Sequence, residues 1–121
     1  MLEFILPFPP TTNNLFMNIP KRGRIKSKSY RAWEVEADKY MMLHILKHNA
    51  QLIGDVQAEY IFGRPDKRRR DVTNFEKAIG DTIVRFGILK DDSQIVDIRL
   101  RWGTPEDVSK GMVHVRLKQL G

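Results

Sequence analysis

The stretch from Thr73 to Gly87 constrains the fold more than any other, because it is apolar along one side only. Thr73-Asn74-Phe75-Glu76 has the form of a capping box, in which the threonine hydroxyl caps a free amide and the glutamate reaches back. Phe75, Ile79, Ile83 and Phe86 recur at helical spacing, and Gly87 is suited to end the helix. At about 100° per residue, Lys77 and Asp81 lie within roughly 60° of Asn74, on the side opposite the apolar stripe. Such a helix must lay its stripe on something, and the flanking segments read as strands. Val56, Ala58, Tyr60 and Phe62 alternate before it, closed by Gly63 and Pro65. Val96, Ile98, Leu100 and Trp102 share one face of a long strand after it. Val113, Val115 and Leu117 face inward on a last strand, with His114, Arg116 and Lys118 facing out.

Upstream, Leu2, Phe4 and Leu6 suggest a short strand that Pro7, Pro9 and Pro10 stop, and Thr11-Thr12-Asn13-Asn14 reads as loop. Residues 21–31 carry Lys21, Arg22, Arg24, Lys26, Lys28 and Arg31 around Gly23, and read as a mobile basic arm or loop leading into a helix. Ser29 suits the N-cap of a helix of about five turns, along which Tyr30, Trp33, Ala37, Tyr40, Met41 and His44 recur before Gly54. The order is β-α-β-α-β-β. The expected architecture is a single α+β domain over residues 1–121, a mixed sheet covered by two helices, with the last two strands antiparallel.

With 121 residues, 41% hydrophobic and 30% charged, the chain has the composition of a globular domain with a real core. A net charge of +6 favours acidic partners, nucleic acid ahead of anionic membrane, although solubility alone accounts for a modest excess. The cations fall in two loops and not along one helical face, which argues against a membrane-surface protein. With no cysteine, disulfides, thiolate zinc sites and cysteine nucleophiles are excluded. No apolar run reaches the length of a membrane span, and the first residues lack the charged start of a signal peptide, so the expected location is the cytoplasm.

Lys67-Arg68-Arg69-Arg70 runs directly into Asp71 and a helix start, and Asp91-Asp92 follows that helix. Each feature has an ordinary explanation: a Lys77–Asp81 ion pair on a solvated face, a salt bridge or cap at Asp71, turn chemistry at Asp91-Asp92. With Thr73 as the cap, however, Asp71 is free for another task. Carboxylates converging from two loops are how a hard cation such as Mg²⁺ is held with few protein ligands, and a helix N-terminus favours phosphate. Cations collect a polyanion. The combination points to a protein that binds nucleic acid and cuts it. His44, His48 and His114 lack partners and read as packing or surface groups. Trp33, Tyr40, Met41 and Met42 read as core or as a dimer interface, and Trp102 as core.

The blocks Arg68-Arg69-Arg70-Asp71-Val72-Thr73-Asn74-Phe75-Glu76-Lys77-Ala78 and Gly87-Ile88-Leu89-Lys90-Asp91-Asp92-Ser93-Gln94-Ile95-Val96-Asp97 resemble the signature of the RusA Holliday junction resolvases. The opening Leu6-Pro7-Phe8-Pro9-Pro10-Thr11-Thr12-Asn13-Asn14 is similar to that family's N-terminal motif, so the resemblance covers nearly the whole chain. It implies a homodimeric, Mg²⁺-dependent endonuclease, with Mn²⁺ able to substitute, that resolves four-way DNA junctions in a bacterial cell and is often encoded by a phage or prophage. It implies metal-binding acids at Asp71 and Asp92, an essential lysine at Lys77, and motif residues at Asn74 and Asp81. Lys67, Arg68, Arg69 and Arg70 would grip phosphates. Lys21, Arg22, Arg24, Lys26 and Lys28, with Asn13 and Asn14, would form a second contact zone. The family pattern has aspartate where this chain has Thr73. A cap survives that change and a carboxylate ligand does not, which leaves Asp81, Asp91 or a water to fill in. Two alternatives stand beside the resolvase: a junction-binding protein without chemistry, and a nuclease for flaps, forks or other branched nucleic acid.

Overall fold

A computed structural model describes all residues from Met1 to Gly121. Six strands and two α-helices form one α+β domain. The strands are β1 (Leu2–Pro7), β2 (Phe16–Ile19), β3 (Gly23–Lys26), β4 (Val56–Phe62), β5 (Ile95–Trp102) and β6 (Met112–Gln119). The helices are α1 (Lys28–Lys47) and α2 (Glu76–Arg85). The main sheet has the order β1-β6-β4-β5, with β1 and β5 as its edges. Strands β4 and β5 run parallel, and β6 is antiparallel to both β4 and β1. Parallel neighbours need a crossover, and α2 is that crossover.

Strands β5 and β6 run in opposite directions, as expected, with β4 lying between them. One expectation is corrected: the basic stretch is not a free arm. Its first half pairs with residues 16–19 as the β2–β3 hairpin, with Phe16 opposite Lys26 and Ile19 opposite Gly23. Lys21 and Gly23 turn that hairpin in left-handed backbone conformations, at φ 67° and 77°.

Both helices pack on one face of the main sheet. Phe4, Leu6, Val56, Ala58, Tyr60, Phe62, Val113, Val115 and Leu117 from the strands share a single core with Tyr30, Trp33, Ala37 and Met41 of α1 and Ala78, Ile79 and Ile83 of α2. Trp33 and Met41 are therefore core residues, while Met42 is exposed. Ser27, not Ser29, caps α1: its hydroxyl accepts from the Tyr30 amide at 3.1 Å and donates to the Asn14 carbonyl at 2.6 Å. At the far end of α2, Gly87 adopts φ 76° and the Ile88 amide reaches back to the Ile83 carbonyl at 3.1 Å, the pattern that closes a helix on glycine.

The opposite face of the sheet has no helix on it and carries a charged ladder. Glu3 pairs with Arg116 at 3.1 Å, Arg116 with Glu59 at 3.0 Å, and Arg101 with Glu59 at 3.5 Å. His114 joins it at 3.2 Å from Glu3, and His44 is buried against Phe4, so neither has metal-ligand surroundings.

An aromatic cluster sets the end of the sheet from which the chain enters α2. Phe8 stacks on Trp102 at 6.0 Å between ring centres and meets Phe75 edge-on at 4.9 Å, with Phe62 against both Trp102 and Phe75. Just beyond, Gly63 donates to the Met112 carbonyl at 2.8 Å and accepts from Gly111 at 3.0 Å. A Cβ at Gly63 would stand 2.1 Å from the Ser109 carbonyl oxygen. Gly63→Ala must push two backbone segments apart, and the expected loss of stability is about 1–3 kcal/mol, read by chemical denaturation.

Candidate active site

The polar edge of α2 meets the segment after it across one lysine. Lys77 Nζ lies 3.1 Å from Asp81 Oδ1 and 3.9 Å from Asp92 Oδ2. The Lys77–Asp81 pair follows directly from helical spacing. Asp92 arrives from a different element and is held by its neighbours. Asp91 caps the short turn Asp92–Gln94 by accepting from the Ser93 amide at 3.2 Å. The Gln94 side-chain oxygen accepts from the Lys90 and Asp91 amides at 2.8 and 3.2 Å, and its nitrogen donates to the Gly54 and Leu52 carbonyls at 2.9 and 3.2 Å. Asp91 is thus committed to a cap, and the Ser93 amide chiefly holds its carboxyl below the usual carboxylate range. Asp92 projects outward, with Lys77 its ion-pair partner.

Asp81 is anchored from the other side. Tyr30 of α1 donates its hydroxyl to Asp81 Oδ2 at 3.4 Å. Burial, then the negative charges of Asp81 and Glu34, push the Tyr30 phenol far above its ordinary range, so it stays a donor. Glu34 is a hub, 3.0 Å from Lys26 Nζ and 3.5 Å from Arg85, while Arg85 also reaches Asp38 at 2.8 Å. The β2–β3 hairpin, α1 and α2 are locked together by these charges beside the site.

At the start of the helical run the roles of Asp71 and Thr73 are the reverse of the expected ones. Residues Val72–Phe75 form a 3₁₀ turn leading into α2, and Asp71 is its cap. Asp71 Oδ1 accepts from the Thr73 amide at 3.1 Å and from the Thr73 hydroxyl at 2.8 Å. Thr73 is a donor here, not a cap. These two bonds, the amide first, hold the Asp71 carboxyl below the usual carboxylate range. A cap fits this segment equally well two residues earlier, at Asp71. Glu76 does not reach back to cap; it faces a cavity beside α2 instead. Asn74 is exposed, and its carbonyl accepts the Thr12 hydroxyl at 3.1 Å, which clamps the loop holding Asn13 and Asn14 onto this turn.

That cavity, of about 220 Å³, opens between α2 and β5. Tyr60, Glu76, Lys77, Gly80, Asp81 and Asp92 line it, with Ile95 and Ile98. A second hollow of about 370 Å³ shares Asp81 and Asp92 and continues past Asp91 to Lys26 and Tyr30. Lys77, Asp81 and Asp92 are therefore brought together, with Asp91 alongside. Asp71 and Asn74 line neither hollow. No three acidic or histidine side chains converge at metal-binding distance.

The cations divide into engaged and free. Arg70 forms a two-pronged pair with Asp66, one bond at 2.9 Å, and Arg64 lies over the Trp102 ring at 4.2 Å. Lys26 is held by Glu34, and Arg24 sits over Phe16 at 3.9 Å. Lys67, Arg68 and Arg69 are exposed and make no ion pair, and the same holds for Lys21, Arg22 and Lys28. Tyr30, Glu34, Thr12, Tyr60 and Glu76 are site residues that sequence reasoning misses. Tyr30 and Tyr60 carry only a core signal in sequence, and Glu34 meets its partners through tertiary contacts alone.

A family model described as Endodeoxyribonuclease RusA matches residues 7–118. The chain is 28% identical over 118 residues to the crossover junction endodeoxyribonuclease rusA of Enterobacteria phage HK97, covering 98% of this chain and 94% of that one. It is 33% identical over 98 residues to the crossover junction endodeoxyribonuclease RusA of Escherichia coli K12, covering 78% and 77%. The protein of that name from Enterobacteria phage 82 is also 33% identical over 98 residues, with the same 78% and 77% covered.

Thr73→Val removes the hydroxyl bond to Asp71 while keeping the side-chain shape. The Asp71 carboxyl pKa should then rise toward the ordinary value of about 3.9, read by carboxyl ¹³C chemical shifts against pH. The sign follows from linkage. A lowered folded-state pKa contributes stability above the unfolded pKa, and that contribution fades as pH falls through the folded value. The variant should lose part of it, and its acid denaturation should begin at higher pH.

Proposed function

Since the chain belongs to the RusA family of endodeoxyribonucleases, we propose that it is a Mg²⁺-dependent endonuclease that resolves four-way DNA junctions by paired, symmetric nicks. The observation that carries this reading is Lys77 standing between two carboxylates from separate elements, at the rim of a cavity beside α2. The donor types suit a magnesium ion, with Asp92 in the wall of the cavity and Asp71 outside it. Asp92 has a single ion-pair partner in Lys77, and Asp71 has its second oxygen uncommitted. Magnesium typically takes one or two protein carboxylates and fills the rest of its octahedron with water and phosphate oxygens. Asp71 and Asp92 would hold it, with Mn²⁺ able to substitute. When bound, the ion supplies Lewis acidity toward a phosphate oxygen and lowers the pKa of a water.

The chain's own residues supply the rest. Lys77 offers an ammonium to a phosphate oxygen as charge develops there in an in-line displacement. Asp81, fixed by Tyr30, keeps that ammonium in place until DNA arrives. Asn74 stands exposed in the first turn, where it orients a water or a phosphate. Lys67, Arg68 and Arg69 grip the backbone beside the cut, and Lys21, Arg22 and Lys28 on and beside the hairpin form the second zone. Phosphate contacts position DNA without reading its sequence. Two nicks in symmetry-related strands call for two sites in matched orientation, which a two-fold homodimer supplies. No helix is long and apolar enough to cross a membrane. The phage relatives fit an origin in a phage or prophage and work in the bacterial cytoplasm.

Thr73 favours one competing reading, a junction binder that has lost its chemistry. Cleavage of a labelled synthetic four-way junction, with and without Mg²⁺, separates the two. Paired nicks in the junction alone, absent from linear duplex and flap controls, support the resolvase. Tight binding without nicks in Mg²⁺ or Mn²⁺ supports the binder. In the resolvase, Asp71→Asn and Asp92→Asn each abolish cutting and leave junction affinity unchanged in a gel-shift assay. Arg68→Ala with Arg69→Ala instead weakens binding and lowers the slope of log K against log salt by roughly 0.9 for each phosphate that is no longer neutralised.

A further inference from the structure

Two groups in the α2–β5 cavity have no part in the chemistry of Lys77, Asp71 and Asp92. Tyr60 rises from the middle of β4 with 1% of its surface exposed, and its hydroxyl has no hydrogen-bond partner. A buried hydroxyl left unpaired costs about 1–3 kcal/mol, so one in the wall of a cavity is placed to hydrogen-bond a group that enters it. That wall also holds Glu76, Lys77, Asp81 and Asp92. Glu76 is the other unassigned group. It is half-buried at the first residue of α2, and it forms neither an ion pair nor a hydrogen bond. It lies three residues past Thr73, one helical turn along from the position where the family pattern places an acid.

We propose that Glu76 supplies a carboxylate to the same divalent cation that Asp92 holds, in place of the acid missing at Thr73, and that the Tyr60 hydroxyl oxygen accepts from a water on that cation. The inference rests on the metal-dependent reading of the site. It gives the orphan hydroxyl a hydrogen-bond partner and the unpaired carboxylate a counter-charge. Since three acids do not converge and Asp71 lines neither hollow, Glu76 and Asp92 meet the cation directly, Asp71 acts on it through a water, and water fills the remaining positions, as magnesium permits. Tyr60 is then a positioning residue, acting through the water it orients.

Mn²⁺ binding to the full chain without DNA, followed by the paramagnetic signal of the free ion, tests this apart from cleavage. Glu76→Gln should weaken Mn²⁺ affinity at least tenfold, and Tyr60→Phe should weaken it by a factor in the 10–100 range seen for groups that orient metal ligands, or slightly less. Thr73→Asp in the Glu76→Gln background should restore binding. Unmutated affinity in Glu76→Gln overturns the assignment of Glu76, and failure of Thr73→Asp to rescue overturns the exchange of one acid for the other. Unmutated affinity in Tyr60→Phe removes Tyr60 from the site. Glu76→Asp, with helical content checked by circular dichroism, guards against a folding defect: it should retain part of the affinity, and complete loss in a folded Glu76→Asp counts against the assignment. Asp92→Asn separates failure of the metal site from failure of the part given to Glu76. If it binds Mn²⁺ as the unmutated chain does, or if the unmutated chain binds none, the metal site itself fails. If Asp92→Asn is weakened and Glu76→Gln is not, only the role of Glu76 fails.

Discussion

The contact on which the rest of the site depends is the meeting of Phe8, Phe62, Phe75 and Trp102. Each ring comes from a different part of the chain: the stop after β1, the end of β4, the turn into α2 and the end of β5. Edge-to-face aromatic pairs contribute about 0.5–1.5 kcal/mol each beyond the area they bury. Here they do more than stabilise. Phe75 is seated between the capped turn at Asp71 and the first turn of α2, so its burial fixes where the polar edge of the helix points. The same cluster pulls the N-terminal loop inward until Thr12 reaches the Asn74 carbonyl. The cation run that leaves β4 starts from the rim of this cluster, with Arg64 lying on Trp102.

Much of this is legible in the sequence, and the reasons are physical. The stripe of Phe75, Ile79 and Ile83 must be buried wherever α2 lies, and these residues are among the least exposed in the chain. The inward sets of β4 and β6 follow from a period of two and need no partner to be recognised. The β2–β3 hairpin escapes such a reading because its alternation is masked. Arg24 and Lys26 cover Phe16 and Tyr30 with their side chains, so charged residues occupy positions that would otherwise read as apolar. Strand order escapes for another reason. Adjacent strands in sequence usually pair, but inserting β4 between β5 and β6 lets the most apolar strand take a central place, with Ile61 buried on the second face as well.

At the site, the types of residue are readable and their local duties are not. Capping by Thr73 and capping by Asp71 are both consistent with Asp71-Val72-Thr73-Asn74, and only backbone geometry decides between them. The outcome changes the electrostatics. An aspartate that accepts two hydrogen bonds is a stronger acid than a free one, and its charge is fixed at any pH at which DNA is handled. The cations show the same split between type and duty. Within Lys67–Arg70, Arg70 is spent on Asp66 and shapes the loop, which leaves its three neighbours to face outward.

The two edges of the main sheet differ in how they end. Strand β1 closes at Pro7, which lacks an amide proton, and Pro9 and Pro10 follow it. Strand β5 alternates Asp97, Arg99 and Arg101 with its apolar residues along a row of backbone groups that no other strand takes up. Proline and charge on border strands are the means by which natural sheets resist open-ended growth. A sheet with such borders resists strand-to-strand aggregation when copies of the chain are brought close together.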